Sequence, residues 1–538
     1  MQTMNDAGKF FQDAPELGNQ YRDDAALQAW LKAHLPAEVL KGITPGLERL
    51  GARAAGDMLA MAADAEAHPP KHVPYDPWGR RIDRIETTWG WQELRRVAAE
   101  EGIVATAYEK RQAAWSRLHQ FVRLYLYHPS SAMASCPLAM TDGAARVLEV
   151  YGDPALQQRY LPHLLSRDAK QFWTSGQWMT ERSGGSDVSG TSTLARAESG
   201  GYRLHGTKWF TSASDSQLAV TLARDPDAGD KLSLFLLELR DAAGRLNAIR
   251  VHRLKDKLGT RALPTAELTL AGTPAQRIGA PGHGVRNIAT VLNITRLYNS
   301  VCAVSYMRRG LALAEDYARK RRAFGKLLAE HPLHRETLAD LHAEFVGALH
   351  LVLHLGVLLG RDETGNAGEA DKLLLRLLTP VAKLFTGKQA IAVVSEVLEC
   401  FGGQGYIEDT GLPVLLRDCQ VLSIWEGTTN VLSLDVLRVI EHSKALEAFA
   451  ADVENRLTRV QHPDLERTCN MVRQAVRDMR NWFDATAGSP AERETFARRF
   501  AFSLARSYTA ALLAGVVQDG WLDGDTLRRW CRAPLTQV

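Results

Sequence analysis

The sequence predicts helices, then an all-β segment, then helices again, with a further helical region at the end. Three observations carry this order. Apolar residues recur at helical spacing up to about Gly176. From about Thr180 to Gly284 the texture changes to short alternating runs separated by Gly, Asp, Ser and Pro. From Ile288 the helical period returns and continues to the end of the chain. The expected parts are an all-α region at 1–176, a β-barrel or β-sandwich at 177–285, a four-helix bundle at 286–440, and an additional helical region at 441–538.

In the first part, Leu27 to Leu35, Trp89 to Gln112 and Trp115 to Tyr127 read as helices, and Pro74, Pro77 and Gly79 punctuate a loop. In the second, the strand candidates are Tyr202 to His205, Leu218 to Leu222, Leu232 to Leu237 and Glu267 to Leu270, with hairpin connections. In the third, Leu311 to Arg322 is one helix closed near Gly325, Leu338 to Leu359 and Leu373 to Leu398 are long apolar helices, and Asp435 to Ile440 ends the region.

A chain of 538 residues, 45% hydrophobic and 24% charged, reads as ordinary globular protein of two to four domains. A net charge of +3 gives little footprint for nucleic acid, and residues 441–538 carry 14 Lys and Arg against 13 Asp and Glu. The six cysteines lack metal-finger spacing, which points to a reducing compartment. The first residues lack a basic stretch followed by an apolar one, so no signal peptide is expected. The most apolar window, Leu349 to Leu359, is too short to span a bilayer, and a cytoplasmic protein is expected. His350 and His354 lie one turn apart as metal ligands can. Their surroundings are apolar, so core packing is the favoured reading and no metal is expected.

Five segments can carry chemistry. Trp425-Glu426-Gly427 sets a carboxylate between an apolar ring and a glycine. An apolar neighbour disfavours the charged form of a carboxylate and makes it a usable base near neutrality, and glycine lets a ligand approach the backbone. Met179-Thr180-Glu181-Arg182-Ser183-Gly184-Gly185-Ser186-Asp187 gathers hydroxyls and glycines beside the start of the sheet. It suits a flat or phosphorylated ligand, and equally a plain turn. Gly206 to Ser212 reads as a strand, with Thr207, Trp209 and Thr211 on one face and Lys208, Phe210 and Ser212 on the other. An aromatic beside a hydroxyl suits an isoalloxazine; a half-buried strand explains it as well. Arg319 to Lys326 is a basic cluster at a helix C-terminus, readable as a solvated charge run, a nucleic-acid patch or a pyrophosphate clamp with Phe324 against a ring. Phe401-Gly402-Gly403-Gln404-Gly405 allows close backbone passage over a phosphate, or simply ends a helix.

Taken together and in this order, WMTERSGGSDVSG, HGTKWFTS, RLKDKLGTRA, RRAFGKLL, FGGQGYIEDTGLPVLLRD and SIWEGTTN resemble the acyl-CoA dehydrogenase family from roughly Glu100 to Ile440. Within it the chain looks most like the branch of the bacterial alkylation-response flavoprotein AidB, whose long N-terminal region and extra helical C-terminus it shares. The resemblance implies FAD and an acyl-CoA thioester. It makes Glu426 the catalytic base that takes the α-proton, with the β-hydride passing to flavin N5. It assigns Met179, Thr180, Gly185, Ser186, Phe210, Ser212, Thr428 and Asn430 to the flavin. It assigns Arg321 and Phe324 to the flavin of a neighbouring subunit, Gly402 and Gly403 to the turn near its adenosine pyrophosphate, Glu399 to a cofactor-contacting position, and Arg296, Trp425 and Gly427 to the substrate. It implies a homotetramer built as a dimer of dimers and electron-transfer flavoprotein as acceptor. The AidB branch adds a second reading, a flavoprotein that binds DNA and protects it, with residual dehydrogenase activity. Several positions depart from the commonest pattern: Phe210 stands for tryptophan, Ser212 for threonine, Asn293 for an aspartate and Glu399 for a glutamine. Trp178 replaces a small residue, and its size is expected to narrow or reshape the passage near the flavin.

Overall fold

The computed structural model describes residues 12–198 and 200–538. The first helices are α1 (Ala25–His34), α2 (Ala37–Ala54), α3 (Asp57–Ala67), α4 (Trp89–Glu100), α5 (Ala105–Tyr108), α6 (Ser116–Tyr127), α7 (Ser135–Tyr151) and α8 (Pro154–Leu164). Side-chain caps start several of them: Asp24 accepts from the Leu27 amide, Thr88 from Trp91, and Asp153 from Leu156. The single helix expected over Trp89 to Gln112 is two. Gly102, at φ +60°, turns the chain between α4 and α5, which a continuous helix cannot accommodate.

The loop expected around Pro74, Pro77 and Gly79 is the turn of a hairpin, β1 (Lys71–Tyr75) and β2 (Arg81–Glu86), so this part is not purely helical. The hairpin is pinned to the next part by Arg81 Nη2, which donates to the Val251 carbonyl at 2.7 Å, and by Asp83, which accepts from the Val251 amide at 3.2 Å.

The middle part is a seven-stranded sheet of β3 (Ser175–Gln177), β4 (Leu194–Glu198), β5 (Gly201–Ser212), β6 (Leu218–Arg224), β7 (Leu232–Glu238), β8 (Ile249–Leu254) and β9 (Thr265–Ile278). Pairing runs β3-β6-β7-β9-β5-β4, β8 also pairs with β9, and β4 meets β6 at Leu194 opposite Arg224. The strands are longer than the alternating runs suggested. The extension is greatest in β5 and β9, whereas β6 and β7, buried on both faces, read as continuous apolar runs nearly to their full length.

The helical period after Ile288 belongs to α9 (Gly284–Lys320), of which the expected Leu311 to Arg322 is only the last third. With α10 (Pro332–Glu363), α11 (Glu369–Cys400), α12 (Leu412–Leu422) and α13 (Thr429–Glu441) it forms the bundle, and α14 (Ala445–Thr458), α15 (Glu466–Ala485), α16 (Pro490–Gln518) and α17 (Gly524–Trp530) pack onto it in one apolar core. The short apolar window at Leu349 to Leu359 lies inside the 32-residue α10. By length and composition α10, α11 and α16 could each cross a membrane, yet 83–89% of the most apolar window in each is buried inside the protein. Their apolarity builds the bundle core. The appended helices are seated by Trp530, whose ring lies against Gly347 of α10 so closely that a Cβ there would come within 2.2 Å.

His350 and His354 lie on α10 where it meets the appended helices, and His354 Nε2 meets the Tyr508 hydroxyl at 3.0 Å. At the seam of α6, α7 and α10, buried Arg117 pairs with Asp142 and Glu363, each at 2.7 Å.

Candidate active site

Glu426 lies in the short connection between α12 and α13, where the sheet, α9 and α11 converge. Its backbone is left-handed at φ +57°, and Gly427 follows at φ +101°, a pair of conformations that side-chain-bearing residues resist. Two cations hold the successive carbonyls of this turn. Arg296 Nε of α9 donates to the Glu426 carbonyl at 3.3 Å, and Lys383 Nζ of α11 donates to the Gly427 carbonyl at 2.7 Å. Thr428 caps α13, accepting from the Val431 amide at 3.4 Å.

The turn aims the Glu426 side chain between two donors. Its Oε2 accepts from the Thr295 hydroxyl at 2.6 Å and from the Gln177 amide at 3.4 Å, one from α9 and the other from β3. Behind it, Arg296 Nη1 pairs with Asp435 at 2.9 Å, and Arg376 grips the other Asp435 oxygen at 2.8 Å. Burial pushes the Asp435 carboxyl up, and the Arg376 and Arg296 guanidinium groups outweigh it and hold it charged. Burial lowers Lys383 to about 7, with the Glu426 carboxylate opposing and Arg296 adding to the shift. The Trp425 indole donates to the Asn299 side chain, which anchors the ring on α9.

Near Gln177, Met179 is buried and Thr180 half-buried, and the Thr180 carbonyl accepts from the Trp209 amide at 3.0 Å. Glu181 ties the glycine-rich loop to the sheet: it accepts from the Ser192 amide at 2.7 Å, the Ser192 hydroxyl at 2.6 Å and buried Lys208 at 2.9 Å. Gly185 and Ser186 are exposed on that loop, and a Cβ on Gly185 would fall 2.4 Å from the Thr180 hydroxyl. The strict alternation expected over Thr207 to Ser212 fails. Lys208 pairs with Leu268 and Thr211 with Ala266, so β5 carries an extra residue there, and Lys208 and Thr211 are both buried. The irregularity leaves Phe210 57% exposed, with Lys255 Nζ 4.7 Å from its ring centroid. Ser212 lies 3.1 Å from the Thr265 hydroxyl.

The expectation for Trp178 is also corrected. Its side chain is 1% exposed in the core of the sheet domain, and its indole donates to the Ser212 carbonyl at 3.2 Å. It packs beneath the strand end and does not line a passage. The arginine expected near the substrate, Arg296, has its guanidinium engaged by the Glu426 carbonyl and Asp435.

Arg321, Phe324, Glu399, Gly402 and Gly403 form a separate exposed set. Phe401 packs at a tilt of 40° against Tyr317, with ring centroids 4.7 Å apart, and brings the ends of α9 and α11 together. From Thr295 to Arg321 the rise of α9 is roughly 40 Å. Thr428 and Asn430 are exposed beside the Glu426 turn.

The residues around the turn fit a flat ring with a polar edge. Gln177 Oε1 and Thr429 Oγ1 are buried without partners, Phe210 offers an uncovered face, and the glycine loop leaves backbone amides approachable. FAD is such a group.

Four family models match in sequence order. They are the AidB N-terminal domain over 13–170, the acyl-CoA dehydrogenase middle domain over 176–273, the acyl-CoA dehydrogenase C-terminal domain over 282–441, and the acyl-CoA dehydrogenase 11 C-terminal domain-like model over 444–538. Acyl-CoA dehydrogenase family member 11 of Caenorhabditis elegans is 43% identical over 99% of this chain and 90% of its own length. The chain belongs to the acyl-CoA dehydrogenase family. AidB of Escherichia coli is 35% identical over 71% of each chain. The crystal structure of C. elegans ACDH-11 in complex with C11-CoA has a TM-score of 0.96, with 42% identity over 100% of this chain and 95% of that one. Fold and homology support FAD-linked acyl-CoA dehydrogenase activity in general, and the named homologues are ACDH-11-like and AidB-like.

Within this family frame, sequence reasoning missed Gln177, Thr295, Asn299, Lys383 and Asp435, all of which touch the turn or its holders. Lys383 carried a usable signal: it is a lone charge inside the apolar run Val381 to Phe385. Gln177 and Asn299 carried none, because their importance comes only from what lies opposite them.

Proposed function

We propose that the chain removes hydrogen from the α and β carbons of an acyl-CoA thioester, with Glu426 as the base. The observation that carries this reading is the Glu426 carboxylate, held between Thr295 and Gln177 where the sheet meets the bundle. A thioester acidifies its α-proton, and Glu426 takes that proton. The Thr295 and Gln177 donors orient the acceptor oxygen, and the Arg296 and Lys383 grips keep the turn aimed. Trp425 and Gly427 border the thioester and exclude water, while Arg296 supports them from behind. FAD, when bound, supplies the two-electron sink, its N5 accepting the β-hydride. Met179, Thr180, Gly185, Ser186, Phe210, Ser212, Thr428 and Asn430 hold it on this chain. Arg321, Phe324, Glu399, Gly402 and Gly403 reach the FAD of a neighbouring copy in a homotetramer arranged as a dimer of dimers. Electron-transfer flavoprotein is the acceptor in this reading, and the cytoplasm its compartment.

The domain limits that go with it are 1–176, 177–285, 286–440 and 441–538. The DNA-protecting reading ranks second. It is favoured by the 35% identity to E. coli AidB, and disfavoured by the near-balance of charge over residues 441–538.

The test is Glu426→Gln in the FAD-loaded protein, titrated with C11-CoA and shorter acyl-CoAs. The variant keeps its yellow flavin and loses at least about a hundredfold in the rate of flavin bleaching. Bleaching at the wild-type rate would remove Glu426 from the base's role. Tight binding of duplex DNA that weakens steeply with salt would move the second reading to first place.

A further inference from the structure

Lys383 is 0% exposed inside α11, and no carboxylate lies within hydrogen-bond distance of its ammonium among the described residues. Its hydrogen-bond partner is the Gly427 carbonyl at 2.7 Å. Lys208 shows the usual arrangement by contrast: it is equally buried, and its ammonium meets the Glu181 carboxylate at 2.9 Å. A buried ammonium whose direct partner is one loop carbonyl has a position dictated by that loop.

The loop in question carries Glu426. Glu426, a side-chain-bearing residue at φ +57°, stores strain that surrounding contacts must hold, whereas Gly427 takes its positive φ freely. Their two carbonyls are each held by a cation from a different helix, Arg296 from α9 and Lys383 from α11. Arg296 is itself neutralised by Asp435 of α13, which Arg376 shares. The charged groups acting on Lys383 are then Glu426 from the turn and Arg296 from α9. The Glu426 carboxylate is therefore the counter-charge that acts on Lys383.

We propose that Lys383 is a positioning residue of the Glu426 site, its ammonium pinning the Gly427 carbonyl so that the left-handed turn keeps the Glu426 carboxylate aimed at the substrate's α-carbon. The proposal rests on Glu426 being the base. It makes no direct contact between Lys383 and substrate or flavin. Because burial brings Lys383 to about 7, the grip is full below that pH and loosens above it, when the neutral amine becomes a weaker donor.

The experiment uses the full FAD-loaded chain and the variants Lys383→Met, Lys383→Gln and Lys383→Arg. Two readouts are taken: backbone hydrogen exchange over residues 424–429 without substrate, and wash-out of deuterium from the α-carbon of C11-CoA as a function of pH. Lys383→Met is expected to speed exchange at the turn by about tenfold, the factor for one charged hydrogen bond. It is also expected to move the wash-out midpoint upward by about one pH unit, since a nearby positive charge is gone. Lys383→Arg recovers both in part, and Lys383→Gln recovers the exchange more than the midpoint.

Wild-type exchange at the turn in Lys383→Met overturns the proposal. If even the wild type fails to wash out α-deuterium, the role of Glu426 as base falls, while the exchange comparison still decides whether Lys383 holds the turn. Should the variants fail to fold, the wild type alone suffices. Turn protection, corrected for intrinsic exchange, drops as pH rises through about 7, and protection that stays flat from about pH 6 to about pH 8.5 overturns the proposal.

Discussion

Replacement of Gly427 by alanine tests whether the left-handed turn is what holds Glu426. Gly427 sits at φ +101°, and a Cβ there would lie 2.9 Å from Leu432 Cδ2 and 3.1 Å from its Cγ. Leu432 is 0% exposed, so it cannot swing into solvent to make room. Forcing a side-chain-bearing residue into this backbone region costs about 1–3 kcal/mol. Overpacking a buried leucine adds about 1–3 kcal/mol, for a total of about 2–6 kcal/mol if the turn keeps its shape. If the turn relaxes instead, the Lys383 and Arg296 contacts loosen and Glu426 leaves Thr295. Either way the variant is penalised, in stability or in flavin bleaching by acyl-CoA. Gly488→Ala is the control: its φ is not positive, a Cβ there meets nothing within 4 Å and it lies outside the proposed site, so stability changes by less than about 0.5 kcal/mol. Urea unfolding of the two variants, with bleaching rates measured beside it, gives the comparison. Gly427→Ala matching Gly488→Ala in both measurements would refute the argument that the backbone of this turn aims the carboxylate.

Arg321→Ala removes an exposed charge and leaves the core untouched. It is expected to lower FAD content and to shift sedimentation toward smaller species together, because the residue is proposed to reach a neighbour's cofactor; unchanged FAD content would leave it a surface charge. Glu181 gives a pH prediction. Burial pushes its carboxyl up from 4.5, but Lys208, Ser192 and Thr193 outweigh it and hold it at about 2. A depressed carboxyl contributes stability that is present above its unfolded value and lost as pH falls through its folded one. The sheet domain is therefore expected to lose stability between about pH 4.5 and about pH 2, and Glu181→Gln to flatten that slope in urea unfolding measured across the range.

The order of helices and sheet was readable because period and texture change sharply near Gly176 and Gly284. What could not be read was decided by contacts across the chain. The hairpin at Lys71 to Glu86 hides behind Pro74, which looks like a strand breaker but lies where the pairing register shifts. The irregularity at Trp209 and Phe210 is invisible to a period-two reading, because an extra residue changes no composition. Trp178 was misjudged for a related reason: size alone cannot say on which side of a strand a side chain lies, and here it faces the core. Glu426 stood out because an acid between an aromatic residue and a glycine is locally odd. Gln177 and Thr295, which hold its carboxylate, are 249 and 131 positions away, and Lys383 is 44 positions from the Gly427 carbonyl it holds; no local pattern links them.

The two sets of proposed flavin residues make a stronger case together than apart. Thr428 lies beside the Glu426 turn and Thr180 follows Gln177, which touches Glu426, whereas Arg321 and Phe324 lie at the far end of α9, roughly 40 Å along its axis. One dinucleotide cannot bridge that distance on a single chain. The far set is nonetheless exposed in a way that asks for cover: Phe324 is 98% exposed on the turn that carries Arg321, Arg322 and Lys326, and Tyr406, 88% exposed, follows the end of α11 that Phe401 packs against α9. Aromatic rings beside arginines are the composition of a protein interface more than of a free surface. A second copy placing its own glycine loop against this surface would cover the rings and give the guanidinium groups a phosphate to hold. The same copy would receive these residues at its own site in return, the reciprocity a two-fold interface requires. On this reading the single chain holds a complete base and half a cofactor site, and Arg321 and Phe324 belong functionally to the Glu426 of a neighbour.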